Sequence, residues 1–358
     1  MNAEYQRPPI RIALMGLGRA MFEDHFSVFA AHPALFDVVA ACDVIKARRD
    51  RVAKVFPKCR MFRQLEDMLD ERDIDVVDIA TCSEDHIKHA MASLTRGFYT
   101  LLEPPMAFSP DEAQVLRGAS AKAGNRLVMF HRGIFDADYL LAKQVIASGR
   151  LGRVYHISVC QEDYIRRDDW QAIRRQGGGA AYYAMPDLFL KTFRLLPNPP
   201  AQMFSELKRI VSLGDAEDYA RVNLKTRDLV SADIEYNGGL VGGPRSPSLV
   251  VRGDMGVLSC RPGAITGELV YIPKEYKFPR RRSSVKTPSL ADLHEDIPVV
   301  REEVSLERGT GYGPTAFWKC LYNTVRVAAP FPMTFEDALE VVRFTHLIKK
   351  TSPYGVIK

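Results

Sequence analysis

Ile10-Arg11-Ile12-Ala13-Leu14-Met15-Gly16-Leu17-Gly18 is the stretch that decides the fold. A short, mostly apolar run leads straight into a glycine pair that opens a helix. Such a run suits a strand buried on both faces, as in a parallel sheet. Gly16 permits the tight turn off the strand. Gly18 lets the backbone approach a pyrophosphate held at the helix N-terminus. Arg19 lies in the same turn, and the third glycine of the usual fingerprint is replaced by Met21. A second apolar run, Val38–Cys42, ends at Asp43, where a carboxylate accepts hydrogen bonds from the adenine ribose hydroxyls. The cofactor read from this context is NAD; NADP is disfavoured because Asp43 would repel a 2′-phosphate, although Lys46 and Arg48 follow closely.

Working outward, Ile74–Ala80, Tyr99–Leu102 and Leu127–Phe130 repeat the buried-strand pattern. Amphipathic helical stretches separate them, among them Asp85–Leu94 and Asp111–Ala123, the latter preceded by the cap Ser109-Pro110. Alternation of this kind predicts a doubly wound α/β domain. After a helix near Phe135–Ala147 and a turn at Gly149–Gly152, the period changes to two. Val222, Leu224 and Thr226 alternate with polar neighbours, as do Val230, Ala232, Ile234 and Tyr236. The fold expected is an N-terminal Rossmann dinucleotide-binding domain over 1–131 and a C-terminal α+β domain over 132–358 with an open, mainly antiparallel sheet. A last helix over 334–350, capped by Thr334, is expected to return to the first domain.

A chain of 358 residues favours two cores over one. No apolar run approaches the ~20 residues that span a bilayer, and Met1–Pro9 has no signal-peptide core. A soluble, cytoplasmic protein with no membrane partner is expected. The net charge of +5 is mild, so the cluster Arg280, Arg281 and Arg282 reads as a solvated or subunit-gripping loop rather than a nucleic-acid site. Six cysteines without C-x-x-C spacing, and histidines without ligand spacing, give no metal site.

Taken together, these segments resemble the glucose–fructose oxidoreductase / inositol dehydrogenase / MocA family of sugar-active dehydrogenases. The carrying motifs are Gly16-Leu17-Gly18 with His25, Ala41-Cys42-Asp43, Ile79-Ala80-Thr81 with His86, Ser148-Gly149-Arg150-Leu151-Gly152, and Trp170 followed by Gly177-Gly178-Gly179-Ala180. The hairpin Val251–Gly256 and the ending Lys350-Thr351-Ser352 also match. The resemblance implies NAD contacts from Thr81, His86 and Glu103, a sugar-like substrate, and a homodimer or homotetramer formed through the open sheet. The catalytic positions depart from it. The family's Glu-Lys-Pro is here Glu103-Pro104-Pro105, and proline can neither shuttle a proton nor donate one. The aspartate and histidine that follow the glycine run are Tyr183 and Asp187, and the junction arginine falls at Ile134 or, with a shift, at Arg132.

Removing hydride from an alcohol carbon requires a base for the hydroxyl proton. Tyr183 and Asp187, four apart in the helical stretch Ala180–Leu196, are expected on one face, with Asp187 orienting Tyr183. His131, at the end of the sixth strand, is the other candidate. Trp170, Tyr182 and Arg132 are the expected substrate contacts, the indole suiting a sugar's C–H face. The glycine run would let backbone amides meet substrate hydroxyls. Arg166, Arg167, Arg174 and Arg175 would meet a charged substrate or remain solvated. The function expected is an NAD-dependent oxidoreductase of a carbohydrate or polyol. The competing readings are an NAD-retaining glycoside hydrolase or lyase working by transient oxidation, and a non-catalytic nucleotide- or sugar-binding protein.

Overall fold

The computed structural model describes residues 7–279, 295–352 and 354–356; Arg280–Arg282 lie outside the described residues. The first sheet is built from β1 (Ile10–Met15), β2 (Phe36–Cys42), β3 (Arg60–Phe62), β4 (Val76–Ile79), β5 (Tyr99–Leu102) and β6 (Leu127–Met129). Their order is β3-β2-β1-β4-β5-β6, and every pairing is parallel. The reversal of strand order beside β1 is where an open α/β sheet leaves a crevice outside the strand C-termini. Around this sheet run α1 (Phe26–Ala31), α2 (Lys46–Val55), α3 (Leu65–Leu69), α4 (His86–Thr95) and α5 (Pro110–Lys122). Ser109 caps α5 by accepting from the Glu112 amide, with Pro110 in the first turn.

The second sheet contains β7 (Val154–Glu162), β8 (Pro200–Arg209), β9 (Tyr219–Thr226), β10 (Ser231–Asn237), β11 (Leu249–Gly253), β12 (Gly256–Cys260), β13 (Thr266–Tyr271), β14 (Val300–Ser305) and β15 (Tyr354–Val356). It runs β14-β13-β12-β11-β7-β10-β9-β8-β15. The β7–β10 and β8–β15 pairs are parallel and the remainder antiparallel, so the sheet is mainly antiparallel. One face, with Ile157, Val159, Val222, Leu224, Ile234 and Tyr236, is buried beneath α6 (Ala137–Ala147), α7 (Ala180–Tyr183) and α8 (Met185–Leu195). The other face carries the alternate residues and remains partly open.

The stretch Ala180–Leu196 is not one helix. It breaks at Ala184, between α7 and α8, because Pro186 has no N–H to offer the Tyr182 carbonyl. Two later helices return toward the first sheet. On α9 (Gly313–Val327), Phe317, Trp318 and Tyr322 are buried, with Trp318 packed edge-on to Phe29 at 4.5 Å between ring centres. On α10 (Phe335–Thr351), Thr334 and Asp337 form a reciprocal cap, and the helix packs on α5 and α8. His346 Nδ1 lies 3.0 Å from the Phe108 carbonyl, and Arg117 pairs with Glu336.

Candidate active site

Gly16 is held at φ +85°, and a Cβ there would lie 2.7 Å from the Ala80 carbonyl oxygen. Only glycine supplies both the left-handed turn and that close approach. At Gly18 no described atom lies within 4 Å of a Cβ position, so the loop presents bare backbone to the crevice. Leu17, Gly18, Arg19, Phe22, Arg48 and Arg51 border a groove of about 380 Å³. Asp43, buried at the end of β2, accepts from the amides of Leu17 and Ile45, both at 2.8 Å, and from Arg48 at 3.3 Å. Its carboxylate thus fixes the glycine turn. A bare glycine turn, an open groove and an acidic strand end fit a dinucleotide.

On the far side of the crevice, His86 is buried with its ring nitrogens 2.9 Å from the Pro105 carbonyl and 3.1 Å from the Thr81 carbonyl. Thr81 Oγ1 lies 3.0 Å from His89. Burial pushes the His86 pKa down, against the two carbonyls, which favour its charged form; in either neutral tautomer one N–H ties the ring to the loop after β5 or to the loop after β4. It holds the cofactor's surroundings in shape.

Sequence spacing could not reveal the carboxylates gathered at the domain junction. Glu103 follows β5, and its Oε1 lies 2.6 Å from His25 Nε2. The opposite nitrogen of His25 lies 2.7 Å from Asp78 Oδ2, on β4. Burial opposes the charge on His25, but Asp78 and Glu103 outweigh it and raise its pKa to about 10. His25 is therefore an imidazolium. Glu103 is itself shifted up, first by burial, with Asp24 and Asp78 adding to it against the pull of His25. Next to it Arg132 pairs with Asp24. Burial works against the Arg132 charge, but Asp24, Asp187, Asp136 and Glu103 hold the guanidinium firmly protonated. Asp187 Oδ1 lies 2.8 Å from His131 Nδ1; the histidine is buried, while the aspartate keeps 28% of its side chain exposed. One turn along α8, Lys191 is buried between Asp136 at 2.8 Å and Asp138 at 2.9 Å. Gly133 makes this junction possible: a Cβ there would stand 3.0 Å from the Asp187 carbonyl.

The structure separates Tyr183 from Asp187. With the helix broken at Ala184, Tyr183 turns toward the second sheet, edge-on to Tyr236 at 5.5 Å and beneath Arg167 at 4.5 Å. Burial, with Tyr236, pushes its pKa well above 10 despite Arg167. A tyrosine so placed is a poor base, and the partner of Asp187 is His131. Arg167 is buried and paired with Asp169 rather than solvated. Tyr182 packs edge-on to Phe108 at 4.9 Å with the Lys349 ammonium over it, and burial raises its pKa to about 12. The glycine run is consumed by packing: a Cβ would meet Phe108 at Gly177, the Gln171 carbonyl at Gly178 and the Glu217 carboxylate at Gly179. Its amides donate to the carbonyls of Arg174, Ile173 and Gln171, so they are not free for the substrate hydroxyls expected of them. Trp170 is half-buried in a turn of the loop against which Gly178 packs.

The oxidoreductase-family model for the NAD-binding Rossmann fold matches residues 10–131, and that for the family's C-terminal domain matches 139–259. The chain belongs to the Gfo/Idh/MocA oxidoreductase family. Its first domain is the family's NAD-binding Rossmann fold. A scyllo-inositol 2-dehydrogenase (NADP(+)) of Bacillus subtilis is 27% identical over 66% of this chain and 65% of its own. A D-glucoside 3-dehydrogenase of Escherichia coli is 22% identical over 70% of this chain and 74% of its own. The WlbA dehydrogenase of Bordetella pertussis, crystallised with NADH and UDP-GlcNAcA, superposes with a TM-score of 0.73 at 20% identity, over 96% of both chains. The match spans about 60% of the length of two fission-yeast (Schizosaccharomyces pombe) oxidoreductases among the curated relatives. Among the described residues no helix is long and apolar enough to cross a membrane.

Proposed function

We propose that this family member is an NAD-dependent oxidoreductase of a carbohydrate or polyol hydroxyl, with Asp187 as its acid/base group and His131 as the residue that orients it. The observation that carries the reading is the 2.8 Å contact between a partly exposed Asp187 and a buried His131 at the mouth of the crevice. Bound NAD supplies the hydride acceptor. Asp187 holds the open position from which it takes the hydroxyl proton, while His131 behind it fixes the carboxylate's orientation and stabilises its charge. The ion-paired Arg132 and Asp24 offer donors and acceptors to neighbouring hydroxyls. Their balanced charge suits an uncharged polyol better than a phosphate or uronate. The sugar and inositol dehydrogenases among its relatives support the same substrate class. The open face of the second sheet is the surface through which we propose the chain forms a homodimer or homotetramer.

The test is reduction of NAD by the purified protein on a panel of sugars and inositols. Asp187→Asn should lower kcat by at least about 100-fold, in the range typical of a lost general base. His131→Ala should cost less, because histidine orients rather than transfers, and NAD affinity should stay constant in both. Full activity in Asp187→Asn would sink this assignment.

A further inference from the structure

Among the buried ionisable clusters that the proposed reaction leaves unused is Glu103, His25 and Asp78, linked in that order at 2.6 and 2.7 Å. Asp78 is fully buried in the middle of an apolar strand, and its second oxygen has no partner among the described residues. Phe130 and Trp318 enclose the His25 ring, at 4.1 and 5.3 Å between centres. Only Glu103 retains exposure, 16% of its side chain, at the C-terminal end of β5. A dinucleotide whose adenosine lies by Asp43 and whose pyrophosphate lies on Gly16 and Gly18 runs toward the ends of β4 and β5. Glu103, at the C-terminal end of β5, is the partly exposed member of the cluster that would meet a nicotinamide laid across those strand ends.

We propose that Glu103 is a redox-state selector for the bound cofactor and that His25, backed by Asp78, is the positioning residue that tunes it. This rests on the NAD-dependent reading above. Two carboxylates share one imidazolium, so the ionised cluster carries one net negative charge in a poorly solvated place. That charge is complementary to the positive ring of oxidised nicotinamide and has no counterpart when the ring is reduced and neutral. Oxidised cofactor therefore stabilises ionised Glu103. Reduced cofactor leaves Glu103 free to take up a proton from solvent, which neutralises the cluster. The upward shift of Glu103 agrees with this direction. The other charges around Glu103 are Asp24, which opposes its ionisation, and Arg132, which favours it; Asp187 and Asp136 reach the site through Arg132.

The sign follows from linkage. As pH rises through the Glu103 pKa, the affinity for NAD⁺ relative to NADH must rise, with a slope of at most about one log unit per pH unit for a single proton. Calorimetric titration of the full chain with NAD⁺ and with NADH between weakly acidic and alkaline pH reads this ratio directly, without any sugar. Wild type should show the pH-dependent ratio. Glu103→Gln should flatten it and favour NADH by roughly 5-fold or more at the alkaline end, the scale of a modest site–site coupling. His25→Gln should move the midpoint upward, since two carboxylates then compete without their cation. Equal weakening of both forms would mark a merely structural role. A flat ratio in wild type overturns the proposal even if Glu103→Gln fails to fold, and leaves the oxidoreductase reading standing. A pH-dependent ratio without turnover on any carbohydrate supports the proposal and sinks that reading instead. Failure to bind either form refutes both.

Discussion

At the scale of single residues, the crevice is shaped as much by side chains that are missing as by those present. Gly16 must adopt φ +85° within 2.7 Å of the Ala80 carbonyl, so Gly16→Ala faces both backbone strain and a backbone clash. It should abolish measurable NAD binding and lower stability by about 1–3 kcal/mol, read by calorimetry and thermal unfolding. Tyr183 makes the opposite case. Its ring is engaged with Tyr236 and Arg167 inside the second domain. Tyr183→Phe keeps the ring packed on Tyr236 and beneath Arg167, so it should leave kcat within about threefold of wild type and change stability by no more than about 1 kcal/mol. A hundredfold loss of kcat without a change in melting temperature would restore Tyr183 to the chemistry. The same residue shows what spacing alone can mislead about. A separation of four implies a shared face only along an unbroken helix, and Pro186 lies between Tyr183 and Asp187. That proline was the available signal, since it removes the hydrogen bond on which the shared face depends.

Elements were legible where their causes are local. β1, its glycine turn, the Ser109–Pro110 cap and the Thr334 cap are each specified within a few residues, and sequence patterning finds such features. The pairs that make the site join residues 53, 56 and 78 positions apart, namely Asp78 and His25, His131 and Asp187, and Glu103 and His25. No period encodes those meetings. Asp78 gave a partial signal, because a carboxylate inside Val76–Ile79 must find a partner or lose its charge. One inter-element contact lends itself to a pH test. Asp75, just before β4, receives Arg11 at 2.8 Å and also Arg326 from α9. Burial pushes the Asp75 carboxyl up, but hydrogen bonds from Arg11 and Arg326 outweigh it and hold the pKa at about 2. A folded pKa below the unfolded value gives stability that is complete above about pH 4 and fades as pH falls toward 2. Arg326→Ala should thus lower stability by about 1–2 kcal/mol at neutral pH. The gap from wild type should narrow in unfolding curves taken from pH 5 down to pH 3. A constant gap across that range would mean that Arg326 acts through its hydrogen bonds to the Pro8 and Pro9 carbonyls rather than through Asp75.

For the whole molecule, the decisive asymmetry is that helices cover one face of the nine-stranded sheet and none of the described helices covers the other. The open face is not an ordinary solvated surface. Phe204 on β8 and Tyr155 on β7 are exposed to 64% and 50%. Between them run polar cross-strand contacts, His156 with Ser231 at 2.8 Å and Tyr219 with Glu235 at 3.4 Å, which leave side chains ordered and ready to meet a flat partner. A second copy of the same sheet is the partner proposed for it, because a twofold interface brings like surfaces together in opposite sense. Large aromatic side chains amid a polar rim are also the composition expected of an interface centre. Light scattering at micromolar concentration should therefore report a mass of at least twice 40.3 kDa. Phe204→Asp places a charge on the open face without touching the core beneath it, so it should shift the population toward monomer while leaving the melting of the isolated fold and NAD affinity close to wild type. A wild-type mass equal to one chain, or an oligomer indifferent to Phe204→Asp and Tyr155→Asp together, would move the interface off this sheet.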